Sequence, residues 1–418
     1  MRWDASGTAA TELGTLGTST NGSAGAYAHA INDLGTAVGV SSKYNTSGTW
    51  VGHPAVRWDA SGTAATELGA LGAGPGYVRA RAYAVNGSGT AVGESNKYDG
   101  SGTDLGTRAV RWDASGTAAT ELDTLGTDAD GVTYARAYAV NGSGTAVGGS
   151  PKYNTSGTLL GGRAVRWDGS GTAATELGTL GTSTSGTADA DAYAVNDSGT
   201  AVGYSSKHAS GTYVAASRAV VWGPDALAID LNDLGVVAKE GGGTWLLTEA
   251  RTIGADGWVA GTGTFTPTGG TAYTRHWVGQ VGLGGSWLTT NATGTWGSGV
   301  NWSTGTPATQ LDASFDQHAT YTVAFDRNEQ ARKVDVTAGD VTLALGSRSL
   351  TVAQGLNVDS GASLSSNGTV IGNVSNAGTL SPGVDPTPAI EPARTAPAIC
   401  ARTSPHRSSG WSRANRRG

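Results

Sequence analysis

Short segments that alternate apolar and polar residues, separated by tight-turn sequences, fill the first two thirds of the chain. In Ala82–Gly126 these segments read AYAVN, AVGES, TRAVRW and AATELDTL, and each turn between them ends in Ser-Gly-Thr after an Asn or Asp. Gly accepts the positive φ of a hairpin turn, and Asn or Asp side chains hydrogen-bond their own backbone. The segments are rich in Val, Thr, Tyr and Trp, which predicts half-buried β-strands and almost no helix.

The same four segments recur along the chain with a period of 54 or 55 residues. The period is marked by one tryptophan in each unit: Trp3, Trp58, Trp112, Trp167, Trp222 and Trp277. A fixed period of this length indicates a repeat architecture in which each unit buries its apolar face against its neighbours. Four strands, three tight turns and one longer connection per unit are typical of a propeller blade. The sequence therefore predicts an all-β fold: a β-propeller of ~55-residue, four-stranded repeats.

The repeats are complete only in the middle of the propeller region. A half-unit at 1–16 precedes four complete units at about 27–72, 81–126, 136–181 and 191–235, and a degenerate unit covers about 245–280. If the half-unit pairs with the last strands, the ring closes with five blades, which we favour. If the last unit is itself complete, the number is six or more.

The repeated phrases resemble the extracellular repeat of the HAF family. They are L-G-T-L-G, A-x-A-[VI]-N-[DG]-x-G-T-A-V-G and R-A-V-R-W-D, with the ending W-L-L-T-E-A-R followed by V-A-G-T-G-T-F: Leu13–Gly17, Ala28–Gly39, Ala192–Gly203 and Trp245–Phe265. The His-Ala-Phe that names the family is altered here to Arg-Ala-Val at 108–110, 163–165 and 218–220, and to Pro-Ala-Val at 54–56. The resemblance covers about 280 residues. It implies an exported bacterial β-propeller of no established catalytic activity.

Two changes in sequence character divide the chain into three predicted regions. The propeller is expected over 1–283, and from 284 to 383 the strands become shorter and more closely spaced, which predicts a small β-solenoid or sandwich. Tyr321–Gly383 resembles the strand repeats of autotransporter-type passenger proteins. Residues 384–418 hold six Arg against one Asp and one Glu, are rich in Pro, and show no periodicity. They predict a disordered basic tail, and a frame error would also explain them.

Composition excludes several classes of function. The chain carries a net charge of −6 and the tail +4, so the body carries −10, which argues against nucleic acid as a partner. Cys400 is the only cysteine, so no intrachain disulfide is expected. No apolar run reaches the ~20 residues of a membrane helix. Met1 falls inside a repeat and is not followed by the apolar core of a signal peptide, so we expect that an upstream segment is missing.

The search for chemistry leaves one group of candidates. The six His never fall at metal-ligand spacing and no G-x-S-x-G phrase occurs, so no metal, cofactor or catalytic residue is predicted. The residues just ahead of each innermost strand differ from blade to blade, while the strand beside them hardly changes: Tyr27, Arg81, Arg136, Asp191 and Glu249. These side chains at one ring mouth would suit a polar ligand such as a sugar or peptide. The favoured alternative is that they are only solvated residues at the start of a strand.

Two functions follow as hypotheses. The first is a non-enzymatic, exported repeat protein with a structural or adhesive role at the cell surface, whose partner is a surface glycan or a protein. The second is a carbohydrate-binding or glycan-cleaving propeller that uses the ring-mouth residues. Glycan cleavage would need two carboxyl groups about 5–10 Å apart.

Overall fold

A computed structural model describes residues 1–3, 10–72, 74, 77–223, 226–233, 243–255, 257–281, 284–289, 293–298, 301–302 and 312–382. The chain divides into two compact units, Met1–Val281 and Gly282–Gly418. All elements of the described ranges are β-strands, which confirms the predicted all-β class. Within the same ranges, no helix is long and apolar enough to cross a membrane. The predicted tail at 384–418 lies outside the described residues.

The first unit is a β-propeller with four complete blades among the described residues, each built on four antiparallel strands; those of the second blade belong to a larger, seven-stranded sheet. A two-stranded sheet of β1 (Arg2–Trp3) and β2 (Ala10–Thr11) precedes them. The first blade has β3 (Ala26–Ile31), β4 (Ala37–Ser41), β7 (Ala55–Trp58) and β8 (Ala65–Glu67), with the extra hairpin β5 (Lys43–Tyr44) and β6 (Trp50–His53). The second has β9 (Val78–Val85), β10 (Ala91–Tyr98), β11 (Asp104–Trp112) and β12 (Ala119–Glu121).

The remaining strands of the first unit continue this order. The short β13 (Thr133–Tyr134) pairs in parallel with β11 of the second blade. The third blade has β14 (Arg136–Val140), β15 (Ala146–Tyr153), β16 (Leu159–Trp167) and β17 (Ala174–Glu176), and the fourth has β18 (Ala190–Val195), β19 (Ala201–Ala209), β20 (Thr212–Trp222) and β21 (Ala228–Asp230). A three-stranded sheet of β22 (Gly243–Ile253), β23 (Trp258–Pro267) and β24 (Tyr273–Gln280) follows.

The apolar core lies between consecutive blades. The marker tryptophans of the four complete blades are fully buried, and each indole N–H donates to a main-chain oxygen of the preceding unit, as Trp112 does to Gly69 at 2.8 Å. In the first three complete blades the residue before the Trp is an arginine that reaches forward instead: Arg111 donates to the main-chain oxygens of Asp168 and Gly169 in the next blade. The fourth blade has Val221 at this position. In the first three blades, the Arg-Trp pair therefore joins the blade to the units on both sides.

The two incomplete sheets bear on the number of blades. Trp3 in β1 and Trp277 in β24 are both marker residues of a third strand, and β24 already occupies that place in the three-stranded sheet. Among the described residues, β1 pairs with β2 and β24 pairs with β23. The five-blade ring stays a prediction.

The second unit is a parallel β-solenoid, so of the two folds predicted for 284–383 the solenoid is observed. One parallel sheet contains β25 (Gly284–Ser286), β27 (Asp312–Phe315), β29 (Glu329–Val336), β31 (Ser349–Val358), β33 (Thr369–Ile371) and β34 (Val374–Asn376). The other contains β26 (Thr293–Thr295), β28 (Thr320–Ala324), β30 (Asp340–Ala344), β32 (Ser363–Ser366) and β35 (Thr379–Pro382). Buried Trp, Phe, Val and Leu side chains fill the space between the sheets.

Candidate functional site

A row of rings runs across the innermost strands of the propeller. His29 stacks on Tyr83 with ring centroids 5.8 Å apart, Tyr83 lies 6.1 Å from Tyr138, and Tyr138 lies 5.8 Å from Tyr193. The guanidinium of Arg251 continues the row, 4.1 Å from the centre of the Tyr193 ring. Each member comes from a different blade or sheet, so the row fixes how far apart successive innermost strands lie.

The five ring-mouth residues predicted from sequence precede this row by two positions. Arg81, Arg136 and Asp191 are half-buried, as is Glu249, whereas Tyr27 is 72% exposed. Each lies directly opposite a residue of the second strand of its own blade, and those opposing residues also differ from blade to blade. The five variable pairs are Tyr27–Val40, Arg81–Glu94, Arg136–Gly149, Asp191–Tyr204 and Glu249–Thr262.

The variable pairs also contact each other between blades. Nε of Arg136 donates to Oε2 of Glu94 in the preceding blade at 2.6 Å. The side chain of Glu94 is only 11% exposed and that of Arg136 is 42% exposed, so the carboxylate is largely withdrawn from water while the guanidinium stays partly solvated. A charge-assisted bond of this length is stronger than a neutral hydrogen bond.

Asp191 occupies space that Gly149 leaves open in the preceding blade. A Cβ atom added at Gly149 would collide with the Asp191 carboxylate. The Tyr204 hydroxyl donates a hydrogen bond to Asp191. Burial raises the pKa of Asp191 to about 6, and the bond from Tyr204 and the charge of Arg136 oppose that rise. Desolvation disfavours the ionised carboxyl more than these partners stabilise it.

Glu249 lies at the last variable pair and is ion-paired with Arg251, two residues along the same strand. The Thr262 hydroxyl lies 3.5 Å from the carboxylate of Glu249. Burial, followed by the charge of Asp191, raises the pKa of Tyr193 to about 12, with Arg251 opposing and Glu249 adding to the rise. Asp191, Glu249 and Arg251 therefore all influence one tyrosine electrostatically, and Arg251 lies against its ring.

The structure thus connects four of the five predicted residues and leaves one apart. Arg136 and Asp191 both act on Tyr138, whose pKa is raised chiefly by burial, and Arg81 hydrogen-bonds Tyr83. Tyr27 is exposed, and the Tyr27–Val40 pair carries no charge. Among the described residues, no group of three or more His, Cys, Asp or Glu could hold a metal ion.

The sequence prediction missed the second member of each pair. Glu94 binds Arg136 and Tyr204 binds Asp191, yet the sequence pattern did not mark Glu94 or Tyr204 as a site residue. The signal was present: one letter varies in A-V-G-x-S, as Val40, Glu94, Gly149 and Tyr204.

Comparison with known proteins adds little to this picture. No family model matches the chain, and no curated protein matches it. Among solved structures, it is similar to a protein of unknown function from Dyadobacter fermentans DSM 18053, at 10% identity over 64% of this chain and 98% of that one, with a TM-score of 0.31. It is also similar to BT0996 in an RGII complex, at 10% identity over 62% of this chain and 87% of that one, with a TM-score of 0.27.

A third similar structure is the β-propeller domain of the Trilobed protease from Pyrococcus furiosus, which has an open velcro topology. The identity is 11% over 61% of this chain and 95% of that one, and the TM-score is 0.20. TM-scores this low carry no argument about function, so the contacts of the variable pairs are what any function must be argued from.

Proposed function

We propose that this chain is a non-enzymatic, exported bacterial repeat protein whose propeller binds a surface glycan or protein in a structural or adhesive role. The observation that carries the proposal is that paired positions vary between blades beside a constant packing row. Neighbouring blades share the Asn, Tyr and Trp that pack them together, but each of the pairs Arg81–Glu94, Arg136–Gly149 and Asp191–Tyr204 differs from the others in at least one member. A constant scaffold with a varied polar surface suits recognition, since specificity comes from a few placed polar groups.

The partners of the acidic groups favour binding over catalysis. Glu94 is held by Arg136, Glu249 by Arg251, and Asp191 accepts a hydrogen bond from Tyr204. A general base or nucleophile must reach a substrate atom. A carboxylate that is already ion-paired with a neighbouring arginine is poorly placed to do so. The resemblance to the extracellular repeat of the HAF family supports export and a place at the cell surface.

A glycan-cleaving propeller is the second candidate, because one observation favours it. Asp191, with a pKa raised to about 6, and Glu249 both lie beside Tyr193. Glycosidases place two carboxyl groups on either side of the scissile bond, and one of them, with a raised pKa, acts as the general acid.

The test is a binding screen of the purified full chain against arrays of glycans and of cell-surface proteins. We expect reproducible binding that Arg136→Ala and Asp191→Ala each abolish, while Asp130→Ala, an exposed turn residue, leaves it unchanged. Binding that is equal in all three variants would refute the variable pairs as the site. Release of new reducing ends from a bound glycan, lost in Asp191→Asn, would establish the cleaving alternative instead.

A further inference from the structure

Side chains that depart from the repeat pattern lie together where the first blade meets the second. Strand β6, which carries Trp50 and His53, pairs in parallel with the start of β9, where His53 lies opposite Arg79, two residues after Tyr77. At the position of Trp50 the other units have Asp104, Leu159 and Tyr213, and at the position of Arg79 they have Gly25, Tyr134 and Asp189. Of these units, only the one at this blade junction combines an indole, an imidazole and a guanidinium.

The rings of Trp50, His53 and Tyr77 form one surface, the aromatic platform. Trp50 stacks on Tyr77 with centroids 6.1 Å apart and ring planes 22° apart, and its centroid lies 5.2 Å from that of His53. Trp50 is 43% exposed, and His53 and Arg79 are exposed as well. Exposed aromatic side chains that lie together, in contrast to ones scattered singly, are typical of an interaction site.

The aromatic platform is held rigid from behind. The edge of Tyr77 meets Tyr98 at 6.5 Å with the rings nearly perpendicular, and burial raises the pKa of Tyr98 to about 12. The N–H of Gly74 donates to the main-chain oxygen of Tyr77 at 3.1 Å, and a Cβ at Gly74 would lie 2.6 Å from the Tyr98 ring. Side chains fixed before binding lose little entropy when a ligand arrives.

Positive charge borders the aromatic platform, although the chain as a whole is acidic. Arg79 lies opposite His53 in the strand pairing, and the pKa of His53 is lowered by burial and then by the charges of Arg79 and Arg81. The nearby acid Asp104 accepts a hydrogen bond from Nδ2 of Asn96 at 3.2 Å, beside Tyr98. An exposed guanidinium next to a flat apolar surface presents a fork that pairs with a carboxylate.

We propose that the aromatic platform binds a glycan that contains a uronic acid, with a sugar ring stacked on Trp50 and the sugar carboxylate paired with Arg79. The face of an aromatic ring is electronegative and attracts the weakly positive C–H groups of a pyranose. An acidic peptide would satisfy the arginines but would not need a flat ring surface. This inference rests on the proposed binding function and names the ligand class, at side chains other than the variable pairs.

The test measures binding of tetragalacturonate to the full chain by isothermal titration calorimetry, with maltotetraose as the neutral probe. We expect Trp50→Ala to weaken tetragalacturonate binding about tenfold or more, the usual effect of losing an aromatic contact in a well-packed site. Arg79→Gln should weaken it about tenfold, and raised salt should act in the same direction. Tyr213→Ala is the matched control, because Tyr213 holds the Trp50 position in the fourth unit and is 61% exposed.

Each outcome decides between the alternatives. The inference would be overturned if tetragalacturonate does not bind, if its binding is unchanged in Trp50→Ala, or if maltotetraose binds equally well. Tighter binding of a polyglutamate peptide would also overturn it, because the aromatic platform would then be a site for an acidic protein. If the chain does not bind tetragalacturonate but binds another ligand through Arg136 and Asp191, the proposed function stands and only the inference about the aromatic platform is overturned. Conversely, Trp50-dependent binding that survives Arg136→Ala and Asp191→Ala would support the aromatic platform and refute the variable pairs.

Discussion

The side-chain amide of Asn86 donates a hydrogen bond to the main-chain oxygen of Asn141, 2.9 Å away and in the next blade. The same bond joins Asn32 to Asn86, Asn141 to Asn196, and Asn196 to Gly254. Each of these Asn residues also uses its side-chain oxygen to close its own turn, as Asn141 does with the N–H of Thr145. One amide therefore shapes a turn and ties two blades together.

This double use predicts that Asn141→Asp is destabilising. The carboxylate can still close the turn but cannot donate to the Asn196 carbonyl, so that oxygen loses one of its two donors, keeps the N–H of Gly199 and faces a negative charge. We expect a loss of about 1–3 kcal/mol in the free energy of unfolding, measured by urea denaturation.

The control for Asn141→Asp is Asn45→Asp. Asn45 closes an exposed turn through its side-chain oxygen, and Asp99 already performs that role in the second unit. We expect a change within about 0.5 kcal/mol. Equal losses in the two variants would contradict the role of the inter-blade bond.

The marker tryptophans provide a second prediction, because one of them is not covered. Trp112 is fully buried and bonded to Gly69, whereas Trp3, at the same position of the repeat, is 60% exposed. Trp112→Ala should cost about 3–5 kcal/mol, and Trp3→Ala about 0.5 kcal/mol or less. Comparable shifts in the thermal midpoint would show that Trp3 is covered in solution.

Gly149 gives a third prediction, which concerns the position of Asp191. In Gly149→Ala the new methyl group would occupy the space of the Asp191 carboxylate, so that side chain must turn away from Tyr204. We expect a loss of about 1–2 kcal/mol, in the range of overpacking. The loss should largely disappear when Asp191 is already Ala, because the clash is then absent.

Gly162→Ala is the matched control for Gly149→Ala. An added Cβ at Gly162 would have its nearest neighbour 3.8 Å away, an ordinary contact. Its stability should change by about 0.5 kcal/mol or less. A Gly149→Ala effect that persists in the Asp191→Ala background would mean that the main chain, and not Asp191, is the obstacle.

Much of the propeller could be predicted from sequence because its information is local. The turns, the strand order and the marker Trp of each blade follow from a pattern that repeats every 54 or 55 residues. The pairing of Asp191 with Tyr204 is not local in this sense. A register shift between Ala192 and Ala194 sets which residues face each other, and a bulge of this kind leaves no mark in the pattern.

The aromatic platform was beyond sequence prediction for a different reason. It depends on a parallel pairing of Gly52 with Val78 that joins the third-strand side of one blade to the start of the next. Turn signals predict hairpins, which are antiparallel, and therefore miss such a contact. In the second unit, the spacing of the short strands along the sequence fits a solenoid and a sandwich equally well. Only the parallel pairing of the strands distinguishes the two folds.

The raised pKa of Asp191 predicts how stability depends on pH. Burial raises this pKa from 3.8 to about 6 in the folded chain, so the folded state binds the proton more tightly than the unfolded state between those values. The unfolding free energy should therefore fall as pH rises through that window, and the cost of the buried charge is fully present above pH 6.

Asp191→Asn removes the titrating group while keeping an oxygen that accepts the bond from Tyr204. We expect the stability of the variant relative to the parent to increase by about 1–2 kcal/mol between pH 4.5 and pH 7.5, measured by urea denaturation at both values. The charges of Arg136 and Arg251 lower the pKa of Asp191 and that of Asp189 raises it, and the pKa of about 6 already includes these effects. Asp33→Asn, an exposed turn residue, controls for the loss of one negative charge. If the variant is less stable than its parent at pH 7.5, the neighbours of Asp191 stabilise its ionised carboxylate. That result would contradict the raised pKa.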